Sequence, residues 1–190
     1  MSEDNRQQQK NTFEVKYTPT KALYEHFYKR CAMKINKIVG IVLIVVGIAM
    51  LAVAFLSDSG LLHQGPDTKQ KLLYIILAAA EVCVGVFLTK TYKIMGSVAM
   101  NNMVKDFGEA PATDILIKDR IYIRRGEKKP YAYDYGDIML FVETDLIFAL
   151  MITKQIGVIL PKDSFTDGGP SEFAEFFKQK CVRTCGFRRG

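Results

Sequence analysis

From Ile38 to Leu56 the chain runs nineteen residues without a charge, and a second apolar run, Leu72 to Leu88, is broken only by Glu81. Each is close to the roughly 20 residues that cross a hydrocarbon core as a helix, at about 1.5 Å of rise per residue. The connecting segment, Ser57 to Lys71, is short and polar. This pairing predicts a helical hairpin that enters a membrane and returns. The first run starts too late and is too long for an ordinary secretory leader, so it is expected to be retained.

Charge fixes the expected orientation. Lys21, Lys29, Arg30, Lys34 and Lys37 precede the first span and Lys90, Lys93 and Lys105 follow the second, whereas the connecting loop has Lys69 and Lys71. Basic residues collect on the cytoplasmic side of spans, which places both termini there in a multi-pass protein. The net charge of +6 in 190 residues is then accounted for beside the membrane, and nucleic acid is not expected as a partner. The hairpin takes a large share of the chain, leaving one modest soluble domain.

Residues 1–11 are polar and glutamine-rich and read as a disordered tail. Phe13 to Tyr17 alternates with period two and reads as a strand; Thr18-Pro19 reads as a cap and first helical residue of an amphipathic helix running through Leu23, Phe27 and Cys31 towards Lys37. After the hairpin (38–90), residues 91–112 keep Tyr92, Met95, Val98, Ala99 and Met103 at helical spacing, so the second span is expected to continue as a cytoplasmic helix. From Thr113 the period becomes two. Ile115 and Ile117, Ile121 and Ile123, Tyr131 to Tyr135, Ile138 to Val142, Leu146 to Met151 and Gly157 to Leu160 predict six antiparallel strands. Pro161 ends the last and pushes Lys162 outwards at the rim, and Ser171 is read as the cap of a closing helix that buries Phe173, Phe176 and Phe177.

The predicted fold class is therefore α+β: a two-helix transmembrane hairpin inserted into a small antiparallel β-barrel or sandwich, closed by a C-terminal helix over 113–182. If the strand at Phe13 joins it, seven strands and a helix make a pleckstrin-homology-like layout. Residues 183–190, with Arg183, Arg188 and Arg189, read as a basic tail.

The segments Tyr131-Ala132-Tyr133-Asp134-Tyr135-Gly136-Asp137-Ile138, Val142-Glu143-Thr144, Ile159-Leu160-Pro161-Lys162 with Phe165, and Glu172-Phe173 to Phe177 resemble the YcxB-like family of small bacterial membrane proteins. The order of parts is similar too. The resemblance implies a protein of the bacterial cytoplasmic (inner) membrane and no defined biochemical function; the tail beyond Arg183 departs from it.

Two groups of residues carry candidate function. Glu81 is costly at mid-bilayer, by about 2.5–3.5 kcal/mol on insertion scales, and must face protein or water. It shares a helix face with Ala78 and Gly85, while Gly40, Gly47 and Ala54 form a small-residue stripe on the first span. Matching midpoints in an antiparallel hairpin sets Glu81 against Gly47, with its protonated oxygen expected to donate to a backbone carbonyl; a second copy or another membrane protein is the alternative partner. A packing or oligomer role is preferred to a proton or ion pathway because two helices enclose no water-filled route. The second group is Arg124, Arg125, Lys128 and Lys129 around Gly126. An ordinary solvated hairpin turn is the plain reading, and contact with anionic lipid, at about 1 kcal/mol per cation, is the functional one.

No catalytic constellation is visible. Asp134, Asp137, Glu143 and Asp145 read as solubilising, and His26 and His63 lie in no nucleophile pattern. Cys31, Cys83, Cys181 and Cys185 suggest neither disulfides nor a metal site, and no cofactor is expected. The expected function is a non-enzymatic membrane adaptor or regulator whose domain binds a protein partner or an anionic lipid surface. The alternatives are a transport-associated subunit using Glu81 and an enzyme whose site is assembled with a partner.

Overall fold

A computed structural model describes residues 12–56, 67–154, 156–181 and 186–189. The expected disordered tail, most of the connecting loop, Arg183 and Cys185 lie outside the described residues. The chain divides into two compact units, one of Met33–Ile94 and one made from residues on either side of it, Met1–Ala32 and Met95–Gly190.

The first unit is the hairpin. Helix α2 (Lys34–Leu56) and the first part of α3 (Thr68–Phe107) are long and apolar enough to cross a membrane, and only 17% and 11% of their most apolar windows are buried. Val45, Phe55 and Leu72 are each at least 60% exposed. What the two helices do bury is small: Gly40, Gly47 and Ala54 on α2, Ala78 and Gly85 on α3. A Cβ on Gly40 would stand 2.7 Å from the Gly85 carbonyl oxygen, and one on Gly85 2.6 Å from that of Gly40. Both backbones approach because neither residue has a side chain, which is how helices associate where no hydrophobic drive separates them from lipid. As expected, α3 continues unbroken past the second apolar run, for about 60 Å at the usual rise.

Among the described residues the second unit holds nine strands in two sheets. Strands β1 (Phe13–Tyr17), β2 (Thr113–Ile117), β3 (Ile121–Arg125), β4 (Tyr131–Tyr133) and β8 (Phe165–Asp167) form the first, in the order β4-β3-β2-β1-β8; β5 (Leu140–Glu143), β6 (Ile147–Met151), β7 (Gly157–Pro161) and β9 (Gly186–Arg189) form the second, in the order β7-β6-β5-β9. The N-terminal strand does join the C-terminal ones: Phe13 pairs with Ile117 and Tyr17 with Thr113, so β1 and β2 are neighbours although the whole hairpin lies between them in sequence. Among the described residues the strands make two sheets and no closed barrel.

One core lies between the sheets. Phe13, Val15, Ile115, Ile117, Ile121 and Ile123 from the first meet Phe141, Phe148, Leu150, Val158 and Leu160 from the second, and α4 (Pro170–Cys181) closes it with Phe173, Phe176 and Phe177. Phe173 touches Phe13, Phe141, Phe148, Phe165 and Phe177, with ring centroids 5.2–6.2 Å apart. Each such ring removed from water contributes about 1.5–3 kcal/mol. The second sheet also buries its other face. Phe27 and Cys31 pack there against Val142, Ile147, Ala149, Met151 and Ile159, which is why all five residues of β6 are buried.

Several local expectations are corrected. Helix α1 (Lys21–Phe27) begins two residues later than Thr18-Pro19 suggests, because the Thr20 hydroxyl accepts from the Leu23 N–H at 3.2 Å. It does not run on to Lys37. It passes into a π-helical stretch, Tyr28–Ala32, and α2 starts afresh at Lys34. Tyr135 leaves the strand for a 3-10 turn, Tyr135–Asp137, since the Asp137 carboxylate takes the Asp134 N–H at 2.9 Å. At α4 the first helical residue is Pro170, Ser171 is already inside the helix, and the Glu172 carboxylate accepts from the Gly169 N–H. The basic tail is not free either: β9 pairs in parallel with β5, and Phe187 packs on Phe141 at 5.7 Å.

Candidate functional site

The basic turn between β3 and β4 is built as a tight hairpin, with Gly126 at φ +55°. Strand alternation sends its two arginines to opposite faces of the sheet. Arg124 pairs with Asp114 across the β2–β3 ladder on the outer face. Arg125 follows Ile121 and Ile123 to the other face, where it lines a cleft of about 230 Å³ with Tyr24, Tyr28, Asn102, Asp106 and Phe107. Its Nε is buried and has no hydrogen-bond partner among the described residues. Lys128 turns back over the Phe107 ring, 4.1 Å from its centroid, and Lys129 is exposed. The four cations expected to act together thus stand in different environments.

The cleft depends on elements far apart in sequence. Gly96 on α3 lets α1 close in, since a Cβ there would lie 2.9 Å from the Glu25 backbone nitrogen. This sets Tyr24 and Tyr28 beside the last turns of α3, where the Tyr24 hydroxyl donates weakly to Met103 Sδ at 3.7 Å. Burial pushes the hydroxyls of Tyr24 and Tyr28 above the ordinary phenol range, with the nearby Arg125 charge opposing it at Tyr24, so both stay neutral donors. Neither tyrosine, Asn102 nor Asp106 is marked by the sequence as a partner of Arg125. Their only advance signal is the helical spacing of Tyr24 and Tyr28.

Within the hairpin, Glu81 and Gly47 do meet. A Cβ built on Gly47 would be 3.4 Å from Glu81 Cβ and 2.9 Å from the Ala78 carbonyl oxygen. The stem of Glu81 makes this contact, and its Oε2 is buried without a hydrogen-bond partner among the described residues.

A second cleft, of about 400 Å³, lies between α1 and the β5–β6 and β7–β8 connections and contains His26, Asp145, Lys162 and Ser164. His26 Nε2 is 3.2 Å from the Thr144 hydroxyl and 3.7 Å from Asp145. Desolvation lowers the imidazole pKa despite that carboxylate. Lys162 does not point away from the rim as expected; its ammonium bonds Glu143 at 3.1 Å and lies over the Phe148 ring. Asp134 is tied to Arg120 at 2.7 Å, and Glu143 also faces Lys178 at 3.8 Å. These carboxylates are fastened to the fold rather than simply solvated. Arg188 serves structure as well, donating to the carbonyls of Arg30 at 3.2 Å and Cys31 at 2.6 Å. Cys31 and Cys83 are free thiols, and burial pushes that of Cys31 up to about 12. Among the described residues no group of His, Cys, Asp and Glu is arranged to hold a metal ion.

Residues 117–177 match the YcxB-like protein family. No curated protein and no solved structure matches the chain. The YcxB-like segment holds β3 to β8 and most of α4, including Arg125, but it leaves out β1, α1 and α3. Two walls of the Arg125 cleft therefore come from outside the YcxB-like segment.

Proposed function

We propose that the chain is a two-span membrane protein of the bacterial cytoplasmic membrane, whose two-sheet domain is a non-catalytic binding module held at the cytoplasmic face. One observation carries the reading: β1, before the first apolar helix, pairs with β2, after the second. A domain assembled from both flanks of a hairpin requires both flanks on one side of the bilayer, which two crossings provide and one or three would not. The excess of Lys and Arg outside the connecting loop supports the cytoplasmic side. The outward-facing apolar side chains of α2 and α3 support lipid as their surroundings.

The binding role is supported by where charge is spent. Lys16 with Glu14, Arg124 with Asp114, Arg120 with Asp134 and Lys162 with Glu143 are local ion pairs that fasten strands and turns. In the Arg125 cleft, by contrast, the guanidinium Nε is buried without a hydrogen-bond partner among the described residues. Two sheets sharing a core under a C-terminal helix support the comparison with pleckstrin-homology-like modules in an open form.

Single cysteines labelled with a membrane-impermeant maleimide in intact cells test the placement. A cysteine in 57–66 is expected to label directly, and cysteines replacing Lys16 and Glu127 only after permeabilisation. Labelling of position 16 and position 127 from opposite sides of the membrane would remove the reading.

A further inference from the structure

We propose that the Arg125 cleft binds a phosphate-type oxyanion, carried either by a lipid headgroup or by a small soluble phosphate. The inference rests on the binding-module reading for where the site acts, and on the cleft itself for its chemistry. A guanidinium Nε shut off from solvent with no acceptor is costly, and the usual remedy is an anion that takes Nε and a terminal nitrogen as a fork. The donors around Arg125 suit an acceptor with more than two oxygens. Among the described residues the Tyr24 hydroxyl is held by a methionine sulfur alone, Tyr28 and Asn102 line the same cleft, and the Lys128 ammonium stands over Phe107 at its wall. A carboxylate would leave some of these donors unused, whereas a tetrahedral phosphate engages more of them. The volume, about 230 Å³, is below the range of sites for drug-sized ligands and matches a headgroup or a small ester.

Among the described residues that line the cleft, Asp106 is the one carboxylate. It is exposed and makes no ion pair with Arg125 among the described residues, so it lies close enough to repel an incoming anion without neutralising the guanidinium. Removing it and removing Arg125 should act in opposite directions.

The full chain in neutral detergent is titrated with inorganic phosphate and with short-chain phosphatidylglycerol, reading melting temperature and the change in tyrosine emission, which no tryptophan masks; Tyr24 and Tyr28 are two of the nine tyrosines that contribute to it. Saturable binding is expected. Arg125→Gln should weaken it by about 10-fold or more, as loss of a charge-assisted hydrogen bond does, Arg125→Lys by less, and Asp106→Asn should tighten it several-fold. Arg120→Gln, whose side chain is tied to Asp134, should leave it unchanged. Tighter binding of the lipid with competition by phosphate identifies a headgroup; equal affinities identify a soluble phosphate. Either supports the site. No saturable binding of either probe, or equal weakening by Arg120→Gln and Arg125→Gln, would overturn it; if Arg125→Gln does not fold, an unchanged affinity in Asp106→Asn does so. Orientation plays no part in this measurement, so its failure and that of the cysteine mapping are separable.

Discussion

Phe13→Ala should destabilise the two-sheet domain by about 3–5 kcal/mol, the usual cost of emptying a buried aromatic site. Phe13 is 2% exposed, meets Phe173 edge-on and Phe176 at a tilt with centroids 5.4 and 5.2 Å away, and fills the space that a Cβ on Gly168 would need. Sheet and helix surround the cavity on several sides, so little collapse can offset the loss. Thermal unfolding of the full chain, followed by near-ultraviolet circular dichroism from the domain's aromatic side chains, should show a midpoint lower by roughly 10 °C or more. Lys16→Ala, three residues on and on the exposed face of the same strand, should move it little. Equal shifts for the two variants would mean that β1 is not part of the core. The residue is informative because it lies far before the YcxB-like segment, yet its contacts are inside it.

Gly85→Ile should force the two helices of the hairpin apart. Its Cβ would meet the Gly40 carbonyl oxygen at 2.6 Å and Ile44 Cγ1 at 2.7 Å, and a backbone oxygen cannot move without moving α2. Overpacking of this kind costs about 1–3 kcal/mol or more. Spin labels on exposed Val45 and Ala80 should give one narrow distance in the parent chain and a longer, broader distribution in Gly85→Ile. Glu81→Gln, which keeps the stem that packs at Gly47, should leave the distance unchanged. A parent-like distribution in Gly85→Ile would show that the helices are not joined along the glycine stripe.

The packing of the two long apolar helices was readable from sequence because small residues at helical spacing set where the backbones meet. Seven-residue spacing of Gly40, Gly47 and Ala54, against Ala78 and Gly85, was enough to name the buried face. The first sheet was readable for a related reason: β2 alternates buried and half-buried with period two, since one of its faces is open. The second sheet obscured its pattern. Every residue of β6 is buried because α1 and the π-helical stretch cover its outer side, and that cover comes from more than a hundred residues away in the chain. The strand β9 was hidden likewise, as a short basic segment whose partner, β5, is reached only through the folded domain. Arg124 and Arg125 are a partial case. Alternation alone assigns them to opposite faces, but nothing local says that Asp114 awaits one and a tyrosine-lined cleft the other.

The central claim, that residues before and after the hairpin form one sheet, is most directly tested by cross-linking. Lys16 and Asp114 are register partners in β1 and β2. With Lys16→Cys and Asp114→Cys in a background lacking the native cysteines, and a protease site inserted within 57–66, the account predicts that mild oxidation joins the strands. The two fragments then stay together after cleavage in denaturing gels until a reductant is added. Fragments that separate without reductant, in a chain that is otherwise folded, would contradict it.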